Sequence, residues 1–254
     1  MSKIMSVTDV TKRFGNLIAV DHVNLEIAPE GIMSIIGPNG AGKTTLFNIL
    51  TGTVNPDEGR VFFKGEDITG LPAYKIVEKG ISRSFQVVSL FDEMSVFDNI
   101  RIGCQSFRHY KSRLFSSFER SQMVNEAALK IIERVGLVGM KNNLVKAISH
   151  GHRKMLDIAV SLTTEPELLL LDEPTSGLAG EDRAKMIKLI KEDLSKEMRV
   201  VIVEHNMDIV FNLSDQIMVL NQGKVLALGT PDEIGENAEV QKAYLGGDRG
   251  HVGA

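Results

Sequence analysis

The sequence predicts an α/β fold: a parallel sheet at the centre, an antiparallel β subdomain toward the N-terminus, and a helical subdomain inserted between two halves of the core. Three observations predict it. Apolar runs such as Leu168-Leu169-Leu170-Leu171 and Val200-Val201-Ile202-Val203 lie between helix-like stretches, as strands buried on both faces do. Early residues alternate instead, with Val23, Leu25 and Ile27 on one side and Asn24 and Glu26 on the other, before the turn Pro29-Glu30-Gly31. From about residue 87 to 165 the spacing becomes helical. The 254 residues therefore read as one unit, with core and β subdomain over 1–86 and 166–254 and the helical subdomain over 87–165.

Each element has its own justification. Ile32-Met33-Ser34-Ile35-Ile36 reads as a buried strand, and Leu46-Phe47-Asn48-Ile49-Leu50 as the start of a helix. Val61-Phe62-Phe63 followed by Lys64-Gly65-Glu66 reads as a strand and tight turn. In the helical region Val124, Ala127, Ala128, Ile131, Ile132 and Val135 recur at i, i+3, i+4, i+7, i+8 and i+11, and Gly136 supplies the stop. A second helix starts near Gly151 and carries Leu156, Ile158, Ala159 and Leu162 toward Pro166. Another, with Ile187, Ile190 and Leu194, precedes the strand at 200–203. Ile217–Leu220 and Val225–Leu228 flank Asn221-Gln222-Gly223-Lys224, a hairpin signal. The end from Gly246 reads as a frayed tail.

Composition narrows the function. A net charge of −4 gives no sign of nucleic-acid binding. No window approaches the roughly 18 consecutive apolar residues of a membrane span, and no signal-peptide pattern opens the chain, so a cytosolic protein is expected. Cys104, the one cysteine, excludes an internal disulfide and a cysteine-based metal cluster, and is expected to be a small buried side chain.

The organising stretch is Gly37-Pro38-Asn39-Gly40-Ala41-Gly42-Lys43-Thr44-Thr45, which fits G-x-x-x-x-G-K-[ST] between a strand and a helix. Its glycines let backbone N–H groups turn inward around phosphates, and the helix N-terminus adds positive charge. Gly37, Asn39, Gly40, Gly42, Lys43, Thr44 and Thr45 are the candidates for holding a nucleotide triphosphate. Lys43 would reach the β- and γ-phosphates, and the Thr44 hydroxyl would ligate Mg²⁺. Asp172 closes an apolar strand, where its carboxylate would hold that ion directly or through water. Glu173, one residue on, is placed to orient or deprotonate an attacking water. His205 ends the next apolar strand; a parallel neighbour ending beside Glu173 would bring this imidazole to the γ-phosphate. A P-loop kinase would carry an arginine lid and a GTPase an Asn-Lys-x-Asp guanine reader, and neither is found.

With these residues in view, five blocks resemble the ATP-binding subunits of ABC transporters, which are P-loop NTPases with a RecA-like parallel core. Residues 37–45 look like Walker A and Leu168–Pro174 like Walker B, with Glu173 the catalytic carboxylate. Gln86, in Arg83-Ser84-Phe85-Gln86, is similar to the Q-loop glutamine, which implies contact with Mg²⁺ and the attacking water and a link to the membrane subunit. His205 looks like the switch histidine, and Phe14 lies where the family places an aromatic against adenine. The signature, usually Leu-Ser-Gly-Gly-Gln, reads Ile148-Ser149-His150-Gly151-His152; Ser149 and Gly151 keep a hydroxyl and a close N–H at a helix start, suited to a γ-phosphate. The usual Ser-Ala-Leu-Asp reads Ser176-Gly177-Leu178-Ala179, without its aspartate.

Several segments resemble the LivG-type subunits of branched-chain amino-acid importers: Ser84-Phe85-Gln86, Leu90–Val96, the stretch around Arg113-Leu114-Phe115, and the ending Ala243-Tyr244-Leu245-Gly246. The His-Gly signature also resembles urea-importer ATPases, and the ending is shared in look with lipopolysaccharide-export ATPases. Residues 105–120 interleave Arg108, Lys111, Arg113 and Arg120 with Phe107, Tyr110, Phe115 and Phe118, read either as a solvated face or as a contact with permease or membrane surface. The resemblance implies ATP and Mg²⁺ as ligands and a place on the inner face of the cell membrane. It implies a second ATPase subunit as partner, identical or paralogous, together with transmembrane permeases and, indirectly, a solute-binding protein. The rival expectation is a subunit that binds ATP without hydrolysing it.

Overall fold

The computed structural model describes residues 3–84, 90–111 and 117–245. The chain opens with the antiparallel pair β1 (Met5–Phe14) and β2 (Leu17–Ile27). Val23, Leu25 and Ile27 are buried and Asn24 and Glu26 exposed, the alternation expected of a strand with one wet face. β3 (Ile32–Ile36) runs through the loop at 37–42 into α1 (Lys43–Leu50). β4 (Glu58–Phe63) and β5 (Glu66–Asp67) then return to the first sheet, whose order is β2-β1-β4-β5. Lys64 and Gly65 make the turn between them with φ of +51° and +82°.

After α2 (Ala73–Glu78) comes β6 (Ile81–Arg83), followed by three helices: α3 (Val96–Lys111), α4 (Ser117–Arg134) and α5 (His150–Leu162). The α4 face is apolar as its spacing requires, with Val124, Ala128, Ile132 and Val135 buried. Gly136, at φ +73°, ends it in a Schellman arrangement, its N–H on the Glu133 carbonyl and that of Leu137 on the Ile132 carbonyl. Cys104, on α3, is buried. Periodicity named the helices at 124–135 and near 151 but not α3, whose sequence is broken by Asp98, Asn99, Arg101 and Gln105.

The second half supplies β7 (Leu168–Asp172) and α6 (Gly180–Lys188), which continues through a π-helical stretch (Leu189–Leu194) into α7 (Ser195–Glu197). β8 (Arg199–Val203), α8 (Met207–Leu213), β9 (Gln216–Asn221) and β10 (Lys224–Gly229) follow, then α9 (Pro231–Glu236), opened by a Thr230–Glu233 capping box, and α10 (Ala238–Val240). The second sheet has the order β10-β9-β3-β8-β7-β6, parallel throughout except for the β9–β10 hairpin. Gln222 and Gly223 take positive φ at its two-residue turn, as a type I′ hairpin demands.

Burial explains why these strands are apolar on both sides. Leu169, Leu171, Val200 and Ile202 join one hydrophobic cluster with the helices, including Val96, Ile132 and Leu156. Leu168, Leu170, Val201 and Val203 join another, with Phe47 of α1 and Val7 and Val61 of the antiparallel sheet. The core sheet is thus sandwiched between the β subdomain with α1 and the helical layer. No helix among the described residues is long and apolar enough to cross a membrane.

Candidate functional site

The site is built at the carboxyl edge of the parallel sheet, where β3, β8 and β7 end side by side. After β3 the chain wraps through 37–42 and is held from below by two other elements. A Cβ on Gly42, at φ +103°, would lie 2.3 Å from the Ala19 carbonyl oxygen of β2, and one on Gly37 would lie 2.2 Å from that of Leu220 on β9. Glycine is required at both places because backbone, which cannot swing away, fills the space. The hairpin turn completes the seat: Gly223 N–H donates to the Ala41 carbonyl (3.0 Å), and Asp21 N–H donates to the Gly223 carbonyl (2.9 Å). Asn39, Gly40 and Thr44 stay exposed, while Thr45 is half-buried.

Lys43 curls back over this loop. Its ammonium is buried and donates to the carbonyls of Gly37 (2.6 Å) and Pro38 (3.0 Å). Burial pushes its pKa below the ordinary lysine range, while the nearby Glu173 and Asp172 carboxylates favour the charged form. A cation held on the loop beside two acids is arranged to meet phosphate oxygens.

At the end of β7, Asp172 sits opposite Val203 of β8, so the residues that follow each strand are neighbours. His205 Nε2 lies 2.9 Å from Glu173 Oε1, the geometry expected for two parallel strands ending together. Glu173 itself has φ +49°, a left-handed conformation that glutamate rarely takes. Asp172 is buried, and Arg83 of β6 donates to its Oδ2 at 2.8 Å. The same guanidinium donates to Asn48 Oδ1 (2.5 Å) and lies over the Phe47 ring of α1 (5.6 Å). The hard oxygens of Thr44 and Asp172, few in number and close to the phosphate loop, fit Mg²⁺, which takes one or two protein oxygens and the rest from phosphates and water.

The remaining candidates fall in three places. Phe14, at the tip of β1, is half exposed, not a core residue, with Lys12 Nζ 5.5 Å from its ring centre. Ser149 caps α5, accepting the His152 N–H at 3.2 Å with His152 Nδ1 3.0 Å from its hydroxyl. Gly151 is buried against Asp182 of α6, where a Cβ would meet the carboxylate at 2.4 Å. It lines a cleft of about 450 Å³ with Leu137, Met155 and Leu189. Among the described residues no hydrogen bond or ion pair joins Ser149 or Gly151 to the loop at 37–42. Gln86 lies outside the described residues, as do Arg113-Leu114-Phe115 and the tail from Gly246. At the unusual turn, Ala179 precedes α6 with no side-chain cap, and Arg183 donates twice to the Leu178 carbonyl (2.9 and 2.6 Å).

Three residues around the site were not singled out by sequence reasoning: Arg83, Lys154 and Glu204. Lys154 of α5 donates to the Glu173 carbonyl (2.5 Å), and buried Glu204 accepts from the N–H (2.8 Å) and hydroxyl (2.6 Å) of Thr175. A charge at the end of an apolar strand was the available signal for Glu204. Arg83 and Lys154 carried none, because their partners lie 89 and 19 residues away.

Comparison with known proteins decides what holds this site. The family model described as "ABC transporter" matches residues 20–176, and one described as "Branched-chain amino acid ATP-binding cassette transporter" matches residues 224–249. The chain is 40% identical over 251 residues to the high-affinity branched-chain amino acid transport ATP-binding protein LivG of Escherichia coli K12, covering 96% of this chain and 98% of that one. The chain belongs to the ABC transporter ATP-binding family. Among solved structures, the ADP conformation of an ATP-binding cassette of an ABC transporter superposes with a TM-score of 0.83 at 30% identity, over 97% of this chain and 100% of the other. A dimeric ATP-binding cassette in a post-hydrolysis state, bound to ADP and Pi, superposes with a TM-score of 0.75 at 25% identity, over 89% of this chain and 98% of the other. Both sheets and the helical layer are therefore those of an ABC cassette, an ATP hydrolase of the P-loop class.

Proposed function

We propose that this cassette is the ATP-hydrolysing subunit of an importer for branched-chain amino acids. It binds permease subunits at the inner face of the membrane and pairs with a second cassette subunit. The observation that carries the hydrolytic part is the Glu173–His205 contact of 2.9 Å, at the sheet edge beside Lys43. The near full-length likeness to LivG and the C-terminal match to the branched-chain amino-acid family support the choice of solute.

The chain's own residues divide the work. The backbone of 37–42 and the Lys43 ammonium bind the triphosphate, and Phe14 offers its exposed ring to the adenine. Thr44 and Asp172 would hold Mg²⁺, which when bound supplies charge neutralisation of the phosphates. Glu173 takes a proton from water as its oxygen attacks the γ-phosphorus and the bond to ADP breaks; His205 fixes the direction of that carboxylate. Gly151 opens on the α5–α6 cleft and, with Ser149 at the cap of α5, serves the nucleotide of the partner cassette, so each site takes its second half from another chain.

The test is transport. Reconstituted with its permeases and solute-binding protein in liposomes, the chain is expected to drive ATP-dependent uptake of labelled leucine, isoleucine or valine, and Lys43→Ala to abolish it. ATP hydrolysis by the complex with no uptake of these solutes would contradict the assignment.

A further inference from the structure

Glu173 is held in a conformation that its own chain disfavours. Its φ of +49° is left-handed, and Pro174 next in sequence presses the preceding residue toward extended backbone. That conformation sets the direction of the Cα–Cβ bond, and therefore where the carboxylate can point. What holds it comes from outside. The Glu173 N–H donates to the Val203 carbonyl (2.9 Å), and its carbonyl accepts from Ser176 N–H (3.2 Å) and from the Lys154 ammonium (2.5 Å). Two residues on, Thr175 is tied by both its N–H and its hydroxyl to the buried Glu204 carboxylate.

We propose that Lys154 is a positioning residue for Glu173: its ammonium clamps the Glu173 carbonyl, while Glu204 braces the same turn through Thr175. The inference rests on the reading of Glu173 as the base. The ammonium is suited to the place. Burial disfavours its charge, but Glu204, Glu173, Asp157 and Asp172 surround and retain it. An ion–dipole contact in this half-buried setting is stronger than one in water. The clamp also joins two parts of the cassette that act on different nucleotides. Lys154 stands on α5, one turn past Ser149 and Gly151, so a tilt of α5 against a partner's nucleotide moves the atom that holds Glu173.

The experiment is steady-state ATP turnover by the full chain paired with its partner cassette (a second copy or a paralogue), with kcat and KM separated, for Lys154→Met, Lys154→Arg and Glu173→Gln in this chain. Affinity for a non-hydrolysed ATP analogue is measured alongside. Lys154→Met is expected to lose roughly tenfold to a hundredfold in kcat, since a small misplacement of a reacting group has that effect. Its KM and analogue affinity stay within about twofold of the wild type, and Lys154→Arg recovers most of the rate. Wild-type kcat in Lys154→Met, or a raised KM at unchanged kcat, overturns the clamp. If Lys154→Met does not fold, Lys154→Gln is read in its place against the same expectations. Normal turnover by Glu173→Gln would overturn the base assignment itself, whereas an inactive Glu173→Gln beside a fully active Lys154→Met overturns the clamp alone.

Discussion

At the scale of single residues, the site is a set of charges held by one another and by the loop's backbone. Lys43 spends two hydrogen bonds on the loop's carbonyls, and Arg83 holds Asp172. A charge-assisted contact of this kind contributes about 1.5–3 kcal/mol. Lys43→Ala is therefore expected to weaken ATP affinity roughly ten- to a hundredfold, measured by fluorescent-nucleotide titration, and an unchanged affinity would remove Lys43 from phosphate binding. Lys43, Asp172, Glu173 and His205 were legible in the sequence because each carries its context with it: a glycine-rich turn or the end of an apolar strand. Arg83 and Lys154 were not, since each meets its partner only after the sheet order and the packing of α5 are known. The surroundings of Ser149 were half legible. The hydroxyl at a helix start could be read, but the His152 ring against it could not.

At the scale of elements, short segments are tied to the site by a few polar contacts. Asp57, before β4, accepts from Lys12 Nζ (2.8 Å) and Arg13 N–H (2.6 Å), fixing the end of β1 where Phe14 is displayed. The Lys12 contact, with the Arg13 N–H second, holds the Asp57 carboxyl below its usual range. A carboxyl depressed in the folded state adds stability above its unfolded pKa of about 3.9 and loses it as pH falls through the lowered folded value. Asp57→Asn, which keeps an oxygen for Arg13, should be less stable than wild type at neutral pH, and the gap should close in strong acid. Urea unfolding at the two pH values checks this. Strands buried on both faces and the two hairpins could be read from pattern and turn residues. β6 and α2 could not, because three and six residues are too few to show a period, and α3 hides its buried Val96, Ile100 and Cys104 among polar neighbours.

At the scale of the molecule, strand order does most to make the site. With β3 between β9 and β8, and β7 beyond, the phosphate loop, His205 and Glu173 share one edge although both side chains lie more than a hundred residues beyond the loop in sequence. Ser149 and Gly151, on the helical layer, make no hydrogen bond or ion pair with that loop among the described residues, which is the physical reason for expecting a second cassette. The Glu173→Gln chain, mixed with ATP and its partner cassette (a second copy or a paralogue), is expected to sediment as a pair. The nucleotide-free chain should remain single, and a pair indifferent to ATP would contradict nucleotide-driven closure. Hydrolysis at this edge is tested most simply by two quantities set side by side for Glu173→Gln, ATP affinity and phosphate release. Binding is expected to stay close to wild type, with release reduced by about 10²-fold or more, the usual contribution of a general base; phosphate release at the wild-type rate would remove Glu173 from the role of base.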